Sequence, residues 1–397
     1  MANSNLTQAK NAKNDEFYTQ WADIEREVQA YLEYDPNVFR GKTVLCPCDD
    51  PEWSNFTKFF ALHFQEYGLK KLISTSFAAE SKNYQEDYQL TFFEQEDPKY
   101  DPDKTRSHGK LFVLDSEDKN HDGKIDIDDL KWDYLAGDGD FRSEEVKKLR
   151  AEADIIVTNP PFSLFRVFLA WIMEAEKPFL IIGGMNAITY KEVFPLIMRN
   201  EMWLGPSISS GDRKFNVPNS YPLEAAGCGH DADGRPFIRV KGVRWFTNLD
   251  HGRRHQPLPL MTMADNLKFS KHKEVKGKIE YDHYDNYDAI EVPFTDATPS
   301  DYDGVMGVPI SFLDKYCPEQ FEIVGITKTW FGGANKIYPA QTQINANGSS
   351  STVSKLNDGA TIKLDSPLHG KTHYMVGNEY FIQLYARVLI RQIGGAT

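Results

Sequence analysis

The sequence predicts an α/β protein with an open, doubly wound, mostly parallel sheet and a strand-rich C-terminal region. Three observations carry this. Up to about residue 200, apolar runs of strand length alternate with stretches whose apolar residues recur at helical spacing. Two of those runs stop abruptly, on Cys-Asp-Asp at 48–50 and Asn-Pro-Pro at 159–161, as strands do where a parallel sheet presents its carboxyl edge. After about 205 the helical period fades, and glycine, proline and aromatic residues rise.

TVLCPC (43–48) reads as a buried strand, and Ser54 as the N-cap of a helix carrying Phe56, Phe59, Phe60 and Phe64 on one stripe. LKKLISTSF (69–77) is a second strand. Around 80–135 the alternation is interrupted by what reads as a hairpin insertion with a very acidic turn. DIIVTN (154–159) is the next strand, and Phe165, Phe168, Leu169 and Ile172 mark the helix after it. PFLIIGG (178–184) is a further strand, and YKEVFPLIMRN (190–200) a helix despite Pro195. The polar stretch 345–359 reads as a mobile loop, and 380–392 as a last element whose period leaves strand and helix both open. The expected division is a first domain over 1–204 and a second region over 205–397.

At 397 residues the chain has room for two domains, and 41% hydrophobic and 13% aromatic content fit a substantial core. Its polar N-terminus has no signal-peptide pattern and its apolar runs are too short to span a bilayer, so a cytoplasmic protein without a membrane partner is expected. Four scattered cysteines read as reduced thiols and not as a disulfide framework or metal site. A formal net charge of −13 argues against a nucleic-acid partner, but its distribution does not: residues 235–278 hold eleven Lys and Arg against three acids.

Asn159-Pro160-Pro161-Phe162 follows a strand directly. The Asn159 side-chain oxygen and the Pro160 carbonyl are two acceptors held by stiff backbone, and Phe162 adds a flat ring. Such a set suits a planar ring with an exocyclic amino group, such as adenine, by holding both amino protons and steering the nitrogen lone pair toward an electrophile. An ordinary Asn-Pro turn is the alternative.

TNPPF has the form of the [DNS]PP[YFW] motif of amino-methyltransferases. More widely, the chain resembles the EcoRI-type adenine-specific DNA methyltransferase family in KNDEFYTQWADIE (13–25), CDDPEWSNF (48–56), GDGDFRSEEV (137–146), ADIIVTNPPFSLFR (153–166), NAITYKEVFPLI (186–197), GVRWFTNLDH (242–251) and DYDGVMGVPISFLDKY (301–316), in family order. The resemblance implies a Rossmann-like methyltransferase fold, S-adenosylmethionine as methyl donor, and double-stranded DNA whose target adenine is flipped out of the stack. It gives Asn159, Pro160, Pro161 and Phe162 the catalytic role, and Phe17, Tyr18, Thr19, Asp49, Asp50, Pro51, Asp140 and Phe141 the cofactor. The first cofactor loop departs from the wider superfamily, having no glycine between Gly41 and Gly68. Lys241, Arg244, Arg253 and Arg254 in the basic segment are the expected DNA contacts. A cognate restriction endonuclease system and a monomer or weak dimer fit the same reading. An amino-methyltransferase acting on RNA or a protein glutamine, and a catalytically silent DNA-binding relative, are the competing readings.

One acidic stretch lies outside this scheme. Asp118, Asn120, Asp122, Gly123, Asp126 and Asp129 in DKNHDGKIDIDD fall at EF-hand-like spacing, so structural calcium competes with an acidic Asp-Gly hairpin. No metal is expected at the catalytic site itself.

Overall fold

The computed structural model describes residues 17–51, 54–78, 97–217, 219, 221, 223 and 227–394. The chain forms two compact units, the first comprising residues 1–186 and 202–252 and the second 187–201 and 253–397.

The first unit is built on an eight-stranded mixed sheet. Its strands are β2 (Thr43–Cys46), β3 (Lys71–Ser76), β4 (Lys110–Leu114), β5 (Lys131–Tyr134), β6 (Ile155–Thr158), β7 (Phe179–Gly184), β8 (Trp203–Leu204) and β12 (Val243–Thr247), in the order β5-β4-β3-β2-β6-β7-β12-β8. The central four, β3-β2-β6-β7, are mutually parallel. β4 and β5 extend one edge as an antiparallel hairpin, and β12 and β8 extend the other. All four residues of β2 and of β6 are buried, which explains why both read as unbroken apolar runs.

Helix α1 (Trp21–Tyr34) buries Ile24, Glu27, Val28 and Tyr31, one face at i, i+3, i+4 and i+7. Its buried Glu27 accepts from the Tyr31 hydroxyl at 2.7 Å and the Ser207 N–H at 2.9 Å, so the carboxylate has partners where water cannot reach. Helix α2 (Asn55–Leu62) is capped by Ser54 and buries Phe56, Phe59 and Phe60; the short α3 (Phe64–Tyr67) follows and ends at Gly68, whose φ of +63° suits glycine. Beyond α4 (Pro102–Ser107), helix α5 (Glu144–Glu152) starts at a Ser143 cap, and α6 (Phe165–Glu174) buries Phe165, Phe168, Leu169, Trp171 and Ile172.

A second, smaller sheet belongs to the same unit: β1 (Tyr18–Thr19), β9 (Asp212–Asn216), β10 (Gly229–His230) and β11 (Pro236–Lys241), antiparallel in the order β1-β9-β11-β10. It joins the beginning of the described chain to residues beyond 204.

The second unit is strand-rich. It holds a four-stranded sheet of β13 (Ile290–Glu291), β14 (Met306–Pro309), β21 (Arg387–Gln392) and β15 (Phe321–Ile326) in that order. A five-stranded sheet has the order β17 (Ser350–Val353), β16 (Gln341–Ile344), β19 (His373–Val376), β20 (Glu379–Gln383), β18 (Thr361–Leu364). Within the first, Arg387 of β21 pairs with buried Glu291 of β13 at 2.7 Å, with the Tyr284 hydroxyl also donating to Glu291. The unit's helices include α7 (Phe194–Met198) and α8 (Met263–Phe269).

Three local expectations need correcting. The helix expected over 190–200 is helical only as α7, where Pro195 sits in the first turn and removes no helical hydrogen bond. The stretch from 345 is no open loop at its start: β16 and β17 pair across an Asn345–Ser349 turn, Asn345 N–H and Ser349 carbonyl being joined at 2.8 Å. The segment 380–392 is two strands, in different sheets.

The acidic loop 118–129 gives the calcium expectation no support. Its carboxylates and amide accept from the loop's own N–H groups: Asp118 from Gly123 at 2.9 Å, Asn120 from Asp122 at 3.0 Å, and Asp129 from Lys119 at 2.7 Å. Burial pushes the Asp129 carboxyl up, but the N–H groups of Asp126, Lys119 and Asn120 outweigh it and hold it below the usual range. Among the described residues no group of three or more His, Cys, Asp or Glu is arranged to hold a metal ion. The loop is an acidic turn closed by its own backbone.

Candidate active site

The site forms where β6 ends. Thr158 donates to the Pro47 carbonyl at 2.6 Å, tying the end of β6 to the loop after β2. Pro160 and Pro161 carry no N–H, so the ladder stops there. One turn of 3-10 helix, Phe162–Leu164, closes with Leu164 N–H on the Pro161 carbonyl at 2.9 Å and leads into α6. Asn159 is thus left at the sheet edge with its amide turned toward the N-terminal segment. Its Nδ2 donates to the Phe17 carbonyl. Only the NH2 side can make that bond, so the orientation of the amide is fixed. Its Oδ1 is buried and has no hydrogen-bond partner. A buried polar atom left unmet costs about 1–3 kcal/mol, and such an atom is a ready acceptor for a ligand N–H.

Aromatic rings wall this acceptor. Half-buried Phe162 meets Phe17 edge-on at 5.5 Å between centroids and Phe215 at 6.1 Å. Phe17 also contacts Phe215 at 6.0 Å and Tyr221 at 6.2 Å. Sequence reasoning missed Phe215 and Tyr221. Phe215 reaches the site through β9, whose partner β1 sets Thr19 opposite it.

The expected cofactor residues divide into distinct situations. Phe17, just before β1, and Thr19 within it are buried while Tyr18 points to the other side and is half-buried, as strand alternation requires. The Thr19 carbonyl accepts from Asn55 Nδ2 at 2.7 Å, and its buried hydroxyl has no partner. A second buried hydroxyl without a partner, Thr75, stands at the carboxyl end of β3.

Asp49 is turned inward. Its carboxylate accepts from the Ser54 hydroxyl and from Thr57 N–H and hydroxyl at 2.9 and 2.5 Å. Its own N–H donates to the Thr75 carbonyl at 2.7 Å, and its carbonyl accepts from Ser74 Oγ. Burial pushes its carboxyl up to about 6, against the opposing pull of the Ser54 and Thr57 donors. Asp50 is 9% exposed, its carbonyl accepting from Ser54 N–H at 2.8 Å, and Pro51 is buried in the same turn. Cys48, just before, has φ +61°, the conformation that a glycine would otherwise supply.

Asp140 and Phe141 lie after a tight approach of two backbones. Ala78 N–H donates to the Asp138 carbonyl at 2.8 Å, and a Cβ on Gly139 would fall 2.2 Å from the Ser76 carbonyl oxygen. Asp140 pairs with Arg142, whose guanidinium bonds hold the carboxyl below its usual range. Phe141 is packed against Phe168 at 5.0 Å and Trp171 at 5.7 Å.

The four expected DNA contacts also separate. Lys241 is exposed and Arg253 half-buried. Arg244 is 3% exposed and donates to the carbonyls of Val243 and Ser209, both at 2.8 Å. Arg254 is 7% exposed and donates to Asn200.

Residues 5–393 match the family model of the adenine-specific methyltransferase EcoRI. The chain belongs to the EcoRI-type adenine-specific methyltransferase family. It is 41% identical to the Type II methyltransferase M.EcoRI of Escherichia coli over 82% of this chain and 90% of that protein. It is similar, too, to the Type II methyltransferases M.MpnI of Mycoplasma pneumoniae (36% over 80% of this chain and 84% of the relative) and M.MgeORF184P of Mycoplasma genitalium (34% over 80% and 85%). No solved structure matches the chain. As a member of this family the protein is an enzyme, an adenine-specific methyltransferase. Among the described residues no helix is long and apolar enough to cross a membrane.

Proposed function

We propose that this enzyme transfers a methyl group from S-adenosylmethionine to N6 of an adenine flipped out of double-stranded DNA at a specific site. The observation that carries the reading is the buried, partnerless Oδ1 of Asn159 beside the half-buried ring of Phe162. Asn159 Oδ1 and the Pro160 carbonyl accept hydrogen bonds from the two N6–H groups, and Phe162 stacks on the purine. N6 sheds one proton to solvent only after the methyl has left the sulfonium sulfur and joined N6. Holding both protons turns the lone pair of N6 outward before reaction, so little reorganisation is left for the transition state. The mutual contacts of Phe17, Phe162, Phe215 and Tyr221 give the purine an apolar, aromatic surrounding.

The order β3-β2-β6-β7, with the first of these in sequence flanked on both sides, supports a doubly wound, Rossmann-like catalytic sheet with its switch point between β2 and β6. The loops after β2 and β6 meet there through Thr158 and Pro47. The partnerless hydroxyls of Thr19 and Thr75 and the close Gly139–Ser76 approach suit a cofactor bearing amino and hydroxyl groups. Thr19, Asp50, Pro51 and Asp140 would hold it, with Phe17 and Phe141 as apolar walls and Asp49 acting from behind the loop. The cofactor supplies an electrophilic methyl on a sulfonium sulfur. The strand-rich second unit, with Arg253, is the proposed target-recognition part, serving a Type II modification system as in the names of the relatives.

Incubation with tritiated cofactor and, separately, plasmid DNA, tRNA and a release factor tests this. Label is expected in DNA alone, as N6-methyladenine; label in RNA or protein would refute it.

A further inference from the structure

The small sheet β1-β9-β11-β10 has two faces of opposite chemistry. Phe215, Ile238 and Val240 point inward and are at most 1% exposed, with the Phe215 ring against Phe162 and Phe17. The neighbouring residues on each strand point the other way. On that outer face the register sets Lys214 directly opposite Arg239, Lys241 opposite Asp212, and Asn216 between Tyr18 and Phe237. Arg239 and Lys241 are exposed. The Lys214 ammonium lies 4.3 Å from the centre of the Phe237 ring and 3.8 Å from Asp231.

Like charges directly opposite one another across two strands destabilise a sheet. Here the register keeps Lys214 and Arg239 side by side, with exposed Lys241 at the next outward position, so three cations share one strand surface. Cations, a ring and an amide on one flat strand surface are the chemistry that meets a nucleic-acid backbone. Phe215 and Lys214 are consecutive, so one strand separates the target pocket from this basic face.

We propose that the outer face of this sheet, through Lys214, Arg239 and Lys241, grips the phosphates of the DNA that flanks the flipped adenine. This rests on the DNA reading above. It extends the grip to a residue, Lys214, outside the basic segment of the sequence, and assigns it to one side of one small sheet.

The test is duplex binding by fluorescence anisotropy from about 50 to 200 mM salt. It compares the wild type, Lys214→Ala, Arg239→Ala, the double variant, and Lys147→Ala as a charge-loss control on α5, where Lys147 pairs with Glu144. The slope of log affinity against log salt is expected to fall by about 1 for each single variant and about 2 for the double, with the control unchanged. Cofactor binding by calorimetry is expected to match the wild type in all of them, which excludes misfolding as the cause. A wild-type slope in the double variant, or an equal fall in the control, overturns the proposal while leaving DNA methylation standing. A wild type that methylates no DNA overturns the function and this surface together.

Discussion

Asn159→Ala separates what this residue costs the fold from what it does in the reaction. In the folded chain its NH2 satisfies the Phe17 carbonyl while its oxygen is buried without a donor. Alanine removes the partnerless oxygen, relieving about 1–3 kcal/mol, but leaves the Phe17 carbonyl without its donor, which costs a similar amount. The two nearly cancel, so the urea midpoint is expected to shift by no more than about 1 kcal/mol of stability. Transfer chemistry has no such compensation. Losing one preorganised contact to the reacting group is worth about 2.7–4 kcal/mol of barrier, a fall of roughly a hundred- to a thousandfold in rate. Single-turnover transfer of tritiated methyl at saturating DNA, measured on the same preparation as the urea titration, reads both quantities. A rate within tenfold of wild type would refute the role of Oδ1. A loss of stability large enough to account for the inactivity would refute the claim that the amide is held at the edge for the ligand.

Two further outcomes follow from the carboxylate and the guanidinium that the fold turns inward. With the buried Asp49 carboxyl raised to about 6 and about 3.9 in the unfolded chain, the folded state holds the proton more tightly. Its stabilising share is therefore complete below about pH 4 and lost as pH rises through about 6, a fall of roughly 2–3 kcal/mol. Urea titrations at pH 4.5 and 7 should show this component in the wild type and not in Asp49→Asn; the same pH difference in both would count against it. Arg244→Ala should lower stability by about 2–4 kcal/mol, because the carbonyls of Val243 and Ser209 lose charged donors, and should leave the salt slope of DNA binding unchanged. A stable variant with a reduced slope would return Arg244 to the DNA.

What the sequence made legible was local. The apolar runs of β2 and β6, the Ser54 cap, the phenylalanine stripe of α2 and the proline stop after Asn159 each announce themselves within a few residues. Phe215 and Tyr221 could not be read that way. Phe215 reaches the site because a two-residue strand pairs with β9, an arrangement fastened by a Gln20–Asn216 side-chain bond across 196 residues, and Tyr221 meets Phe17 from beyond that strand. The basic segment showed its charge but not its direction, so buried Arg244 and Arg254 looked the same as exposed Lys241. The β16–β17 hairpin was hidden for another reason. Its strands QTQI and SSTV are mostly polar, half-buried or exposed, and lack the alternation that marks a sheet with one covered face.

The loop after β2 shows how a turn that wants glycine can be made without one. Cys48 adopts φ +61°, which costs a residue with a Cβ about 1–2 kcal/mol. The next residue is pinned on every side: Asp49 N–H on Thr75, its carbonyl on Ser74, its carboxylate on Ser54 and Thr57. Side-chain bonds over-determine the path, so chain freedom at Cys48 is not required. Cys48→Gly should then change stability by less than about 1 kcal/mol, since relief of the left-handed strain is offset by the greater freedom of the unfolded chain. Cys48→Val, β-branched in the same conformation, should cost about 1–2 kcal/mol more than the wild type. Urea titrations of the three proteins decide it, with calorimetric cofactor affinity expected to persist in the glycine variant. Were glycine to destabilise by well over 1 kcal/mol, or valine to be tolerated, the loop would be held by contacts of the Cys48 side chain and not by the network around Asp49.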